Sequence, residues 1–161
     1  MWFEPVPTDS LPIAGGTTWA VGFELPPGGE IGSPYHVLND HSYCCAMNPK
    51  ACKNEEPLPE HAESCRKWHE AKVSARATDA HRLGVPLFIT EFGACFSDGP
   101  CQQEINQLAD VADEQLIGWA YWQFKTYADL TTSAGTNSEG VYNVDGTLQD
   151  FKIKALARSF V

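Results

Sequence analysis

Val85-Pro86-Leu87-Phe88-Ile89-Thr90-Glu91-Phe92-Gly93-Ala94 is the stretch from which the fold can be read. A Gly84-Val85-Pro86 breaker followed by apolar, aromatic and β-branched residues predicts a short buried strand over Leu87–Thr90, with Glu91 at its C-terminal end. Burying an unpaired carboxylate costs on the order of several kcal/mol, so an acid in that place is either paired structurally or held for chemistry. In parallel α/β architectures the C-terminal ends of strands are where active sites are built.

Working outward, Glu60–Arg82 is rich in Ala, Glu, Lys and Arg, contains no Gly or Pro, and is stopped by Gly84, which predicts a helix. After the Glu91 strand, Gln102–Glu114 carries Ile105, Leu108, Ala109 and Ala112 at helical spacing. Leu116–Phe124, aromatic and almost uncharged, predicts another strand with Trp122 near its C-terminal end. A polar loop over Lys125–Gly146 follows, and Leu148–Phe160 closes the chain as a basic amphipathic helix. On the N-terminal side, Trp2–Val6 predicts a short strand. A loop dense in Pro and Gly then runs to Pro34, a length typical of functional or disordered loops, and the embedded Trp19 and Phe23 favour a packed, functional one. Tyr35–Tyr43 reads as a strand on which His41 and Tyr43 share a face, and Ala46–Pro59 is an irregular insertion containing cysteine. Strands alternating with helices imply a parallel sheet with right-handed crossovers. The expected class is therefore α/β. Four strands are half of what a complete (β/α)8 TIM barrel of about 250 residues contains, so 1–161 is expected to be one partial domain, the C-terminal half of such a barrel.

Composition narrows the function. Twenty-one acidic against 11 basic residues give a net charge of -10, which argues against nucleic acid and anionic membrane surfaces and favours a neutral substrate. No apolar run is long enough to span a membrane. Trp2-Phe3-Glu4-Pro5 after Met1 lacks the charged and apolar regions of a signal peptide. Six cysteines, at 44, 45, 52, 65, 95 and 101, point to an oxidising compartment. Fifteen full pairings are possible. Cys95 and Cys101 bracket the turn-rich Phe96–Pro100 and are expected to pair, with Cys44, Cys45, Cys52 and Cys65 supplying the rest. His61, Cys65 and His69 fall four residues apart on one helix face, yet zinc sites use tighter spacings and a disulfide already accounts for Cys65. Neither a metal nor a cofactor is expected.

Ile89-Thr90-Glu91-Phe92-Gly93 resembles the nucleophile strand of glycoside hydrolase family 5. His41-Ser42-Tyr43 is similar to the His-x-Tyr on that family's sixth strand, and Trp119–Lys125 resembles its eighth. Phe3-Glu4-Pro5-Val6, the Gly22-Phe23 to Gly28-Gly29 loop, Gly140–Gly146 and the tail Lys154–Phe160 resemble the endoglycoceramidase-related branch. The resemblance implies strands 5 to 8 of the barrel, with the N-terminal half absent, and a retaining β-glycosidase acting on a glycolipid or oligosaccharide. Such an enzyme needs two carboxyl groups about 5–5.5 Å apart. Carried over residue by residue, Glu91 would be the nucleophile and Tyr43 would orient it. His41 would hydrogen-bond the sugar or the carboxylates, Trp122 would offer its ring face to the sugar, and Lys125 would touch the hydroxyls of a longer glycan. The family's acid/base Glu sits in an Asn-Glu-Pro motif on the fourth strand, upstream of residue 1; Glu4-Pro5 lacks the Asn, and a structural role suits Glu4 better. Asn39-Asp40 departs from the apolar or aromatic residues usual before that His. The family and the cysteines together imply a secreted or lysosomal protein.

Three readings follow. The first is an endoglycoceramidase-like hydrolase fragment whose Phe23 and Pro27-Gly28-Gly29 loop helps receive a lipid aglycone. The second is another family 5 β-glycosidase on soluble glucosides or polysaccharides, and the third a non-catalytic fragment that binds sugar or a partner. Without general-acid assistance, worth about 10²–10⁴-fold in rate, and with open sheet edges, the isolated polypeptide is expected to be inactive and poorly folded.

Overall fold

The computed structural model describes residues 1–3, 25–44, 58–127 and 137–160. Glu4, Trp19, Phe23, Cys45, Cys52 and Thr131-Thr132 lie outside the described residues. Four strands, β1 (Trp2–Phe3), β2 (Val37–Ser42), β3 (Leu87–Phe92) and β4 (Gly118–Trp119), lie side by side in chain order and are all parallel. A short helix α1 (Gly29–Gly32) and a 3-10 turn (Ser33–Tyr35) lead into β2. Helices α2 (Ala62–Leu83), α3 (Asp98–Glu114) and α4 (Asp150–Ala157) flank the sheet. The architecture is a partial (β/α)8 barrel, as the alternation predicts.

Helix α2 ends at Gly84, whose φ of 67° is the left-handed conformation glycine adopts cheaply, and whose N–H closes on the Ala80 and His81 carbonyls. Helix α3 begins at Asp98 rather than Gln102. Gly99 and Pro100 fall in its first turn, where a missing proline N–H costs nothing. The expected turn is thus a helix entrance, stapled to the end of β3 by the Cys95–Cys101 disulfide. Strand β4 is only two residues long. Past Ala120, whose N–H reaches the Ile89 carbonyl, the chain leaves the sheet and pairs with the segment after 137 through Val141 N–H to Gln123 O, Tyr142 N–H to Phe124 O and Thr126 N–H to Tyr142 O.

The core lies between sheet and helices. Ile89 and Phe92 of β3 pack with Val73 of α2, Ile105, Leu108 and Val111 of α3, and Ala155 and Leu156 of α4, while Leu38 packs with Ala80, Leu83 and Val85. Strand β2 alternates strictly: Leu38, Asp40 and Ser42 are sealed against the helices, and Val37, Asn39 and His41 line the opposite, half-buried face. Asp40 therefore points away from the site, between Lys72 Nζ at 3.3 Å and Arg76 Nε at 3.7 Å on α2, which explains an acid in a buried strand.

The register between β2 and β3 slips once. Asp40 pairs with Ile89 but His41 pairs with Glu91, so Thr90 is left opposite no residue, as in a β-bulge. Strict alternation would send Glu91 toward the helices along with Ile89. The extra residue re-phases the strand, and the buried positions of β3 fall three apart, at Ile89 and Phe92. Glu91 extends the strand face that carries Phe88 and Thr90, opposite His41. The strand is also longer than expected, running to Phe92.

Candidate active site

The bulge brings three residues predicted from the sequence together. The Tyr43 hydroxyl donates to Glu91 Oε2 at 3.2 Å, and His41 Nδ1 lies 3.3 Å from the same oxygen. The Glu91 side chain is 24% exposed, which leaves it reachable. Burial, the charge of Glu139 and then that of Glu91 push the Tyr43 phenol far above its ordinary range, so it remains a proton donor at all ordinary pH values.

Behind this face β2 is pinned to the helices. Ser42 Oγ is 2.8 Å from His69 Nδ1, His69 Nε2 is 3.0 Å from Glu104 Oε1, and the same oxygen accepts the Cys44 N–H at 3.2 Å. Cys44 is further bonded to Cys65 on α2. Lys72 Nζ donates to the His41 carbonyl. A Ser–His–Glu chain is a nucleophile-activating arrangement elsewhere, but these three residues are sealed from solvent, so the chain serves as scaffolding. His69 and Cys65 are thereby accounted for without a metal. The only group of potential metal ligands among the described residues is Cys44, Cys65 and Glu104, two of which are joined in the disulfide.

The far wall comes from the segment after β4. Gly93 has φ 121°, and a Cβ there would meet the Tyr121 ring at 2.7 Å, so glycine lets that ring close over the end of β3. Phe92 meets Trp119 and Tyr121 edge-on at 5.2 and 5.4 Å. Trp122 is half-buried and donates its indole N–H to the side chain of Glu139. Lys125 lies farther along, its Nζ 5.8 Å from the centre of the Tyr127 ring, and it interacts electrostatically with Asp145. Lys125 is thus set apart from the Glu91–Tyr43–His41 cluster.

Glu139 is the residue that sequence reasoning missed. It sits 17 positions beyond Trp122 in an irregular polar loop, where no periodicity or motif signals it. Burial and the charge of Glu91 raise its pKa, while the Trp122 hydrogen bond and the Lys152 ammonium pull it down. Two carboxyl groups, two phenols, an indole and an imidazole thus share one rim, at the C-terminal ends of β2, β3 and β4. The set can present the Glu91 side chain to a ligand beneath aromatic surface.

The sequence profile of the cellulase family, glycosyl hydrolase family 5, matches residues 26–128, more than half of the chain. No curated protein matches the chain in sequence. Among solved structures, a cellulose synthase subunit Z from Clostridioides difficile is similar over 75% of this chain and 40% of its own, with a TM-score of 0.55 at 18% identity. An endoglucanase is similar over 75% and 39%, with a TM-score of 0.52 at 15% identity. A β-glucuronidase from Ruminococcus gnavus is similar over 76% and 22%, with a TM-score of 0.51 at 17% identity. The chain spans at most about two-fifths of these structures, and at such identities the likeness speaks for the fold. With the profile match covering β2, α2, β3, α3 and β4, the chain belongs to glycosyl hydrolase family 5.

Proposed function

We propose that this chain supplies the nucleophile half of a retaining β-glycosidase, with Glu91 attacking the anomeric carbon. The observation that carries the reading is the pair of contacts on Glu91 Oε2, from the Tyr43 hydroxyl at 3.2 Å and His41 Nδ1 at 3.3 Å, on a carboxylate that solvent reaches. A donor that keeps its proton stabilises the ionised nucleophile and fixes its direction. Attack forms a glycosyl ester on Glu91 as the bond to the leaving oxygen breaks, and water then cleaves the ester. A second carboxyl group protonates the leaving oxygen and later deprotonates the water. We assign that group to a strand preceding β1 in the completed barrel, whose N-terminal half lies outside 1–161. Trp122 offers its ring to the reacting sugar, His41 binds its hydroxyls, Lys125 reaches the hydroxyls of a longer glycan, and no cofactor takes part.

For the substrate we favour a glycolipid headgroup, on the endoglycoceramidase-like motifs Gly140–Gly146 and Lys154–Phe160 and the net charge of -10, which suits a neutral glycan. The disulfides Cys44–Cys65 and Cys95–Cys101 support a secreted or lysosomal setting. A soluble β-glucan is the second reading, favoured by the cellulase profile. Turnover of a ceramide glycoside and of cellotetraose by the protein carrying residues 1–161 separates the two. Hydrolysis of cellotetraose alone would remove the glycolipid assignment.

A further inference from the structure

We propose that Glu139 is a positioning residue of this site, whose carboxylate accepts the Trp122 indole N–H and so fixes the ring beside Glu91. The proposal rests on the reading of Trp122 as the sugar platform.

The loop around Glu139 does not need its side chain. The Ser138 carbonyl accepts the Cys95 N–H at 2.8 Å and Lys152 Nζ at 2.8 Å, and the Gly140 carbonyl accepts Lys152 Nζ at 3.2 Å. The Glu139 carbonyl accepts the Tyr121 hydroxyl at 2.7 Å and the Gln123 N–H at 3.3 Å. Asn137 Oδ1 accepts the Gly140 N–H at 2.6 Å, and a Cβ on Gly140 would run into Thr126 and Asn137. Every carbonyl from 138 to 140 is engaged, and the segment is tied to the ends of β3 and β4 and to α4. Lys152, fully buried on a helix whose other charged residues, Asp150 and Lys154, pair on the solvent side, is the central tie. The loop is thus held through its backbone groups, and the Glu139 carboxylate is left to act on the site.

That carboxylate is held at a cost. Glu91 on β3, Tyr43 after β2, Tyr121 and Trp122 after β4 and Lys152 on α4 all face it, and burial and the Glu91 charge both oppose its ionisation. The indole donor and the Lys152 ammonium favour the ionised form. When Glu91 becomes a glycosyl ester it loses its charge, the repulsion on Glu139 falls, and the grip on Trp122 tightens while the sugar is covalently held.

The test uses the protein carrying residues 1–161 with 15N-labelled tryptophan, the Trp122 resonance being assigned with Trp122→Phe. The Trp122 indole N–H is expected to shift as a carboxyl group titrates, and Glu139→Gln is expected to abolish that shift. A shift unchanged in Glu139→Gln would overturn the proposal. The second readout is binding of cellobiose, an uncharged sugar. A lost charge-assisted hydrogen bond is worth about tenfold, so Glu139→Gln is expected to weaken binding by roughly that factor. Unchanged binding in Glu139→Gln, with binding lost in Trp122→Ala, would also overturn it. Unchanged binding in Trp122→Ala would instead remove the platform reading, with the indole titration still deciding whether Glu139 holds the ring.

Discussion

Replacing the Cys44–Cys65 bridge by two serines should cost more stability than replacing Cys95–Cys101, and the difference follows from the chain each one closes. The first spans 21 residues and ties the end of β2 to α2, and the second spans six. The chain-entropy relation gives about 3.3 kcal/mol for the first closure and about 2.2 kcal/mol for the second at 25 °C. A second consequence concerns only the longer bridge. Cys44 follows Tyr43 directly and donates its N–H to Glu104, so loosening it also loosens the Tyr43 contact with Glu91. Urea unfolding of the two double variants, with midpoints compared at equal slope, measures the difference. A smaller loss for Cys44→Ser/Cys65→Ser than for Cys95→Ser/Cys101→Ser would refute the reasoning, because it would mean that 44 and 65 are held together equally well without the bond.

Other outcomes follow from single contacts. His69→Ala leaves the sealed Glu104 Oε1 with only the Cys44 N–H and takes away the His69 contact of Ser42 Oγ; a buried polar group left unsatisfied costs about 1–3 kcal/mol, measurable by thermal unfolding. Gly93→Ala puts a Cβ against the Tyr121 ring at a φ of 121°, and a loss of about 1–3 kcal/mol is expected from calorimetry. Glu139 has a pKa raised by burial and by Glu91. Its contribution is therefore fully present below the ordinary Glu range of about 4.3 and is lost as pH rises through the raised value. The stability of Glu139→Gln relative to the unsubstituted protein should accordingly improve between pH 4 and pH 8, about the span of a raised carboxyl titration, in chemical unfolding at each pH.

Much of the fold was legible because it is written in local patterns. Gly84 as the stop of α2, the apolar run of β3 and the helical spacing of Ile105, Leu108, Ala109 and Ala112 each act within a few residues. The shared face of His41 and Tyr43 also follows from strand periodicity. The bulge at Thr90 was not legible, because register is set by pairing with β2 across about fifty residues of intervening chain, beyond any local pattern. Asp40 stood out as a departure, yet its cause lies on α2, in Lys72 and Arg76. The length of β4 was overestimated for a related reason: aromatic composition reports burial, and Tyr121–Phe124 is buried or paired against the segment after 137 rather than in the sheet. Lys152 was hidden because a lysine on an amphipathic helix reads as part of a solvated face, and Glu139 because a lone acid in a polar loop carries no periodic signal; only the folded chain shows the first sealed and the second turned into the site.

The central claim is that Glu91 is the nucleophile. A 2-deoxy-2-fluoroglycoside with a strongly activated leaving group needs no proton donor, so it tests that half of the chemistry alone. Peptide mass spectrometry of the treated protein should show one sugar attached to the peptide containing Glu91, and no adduct in Glu91→Gln. A sugar on Glu139 or another carboxylate, or an untouched Glu91 in a protein that still hydrolyses glycosides, would contradict the account.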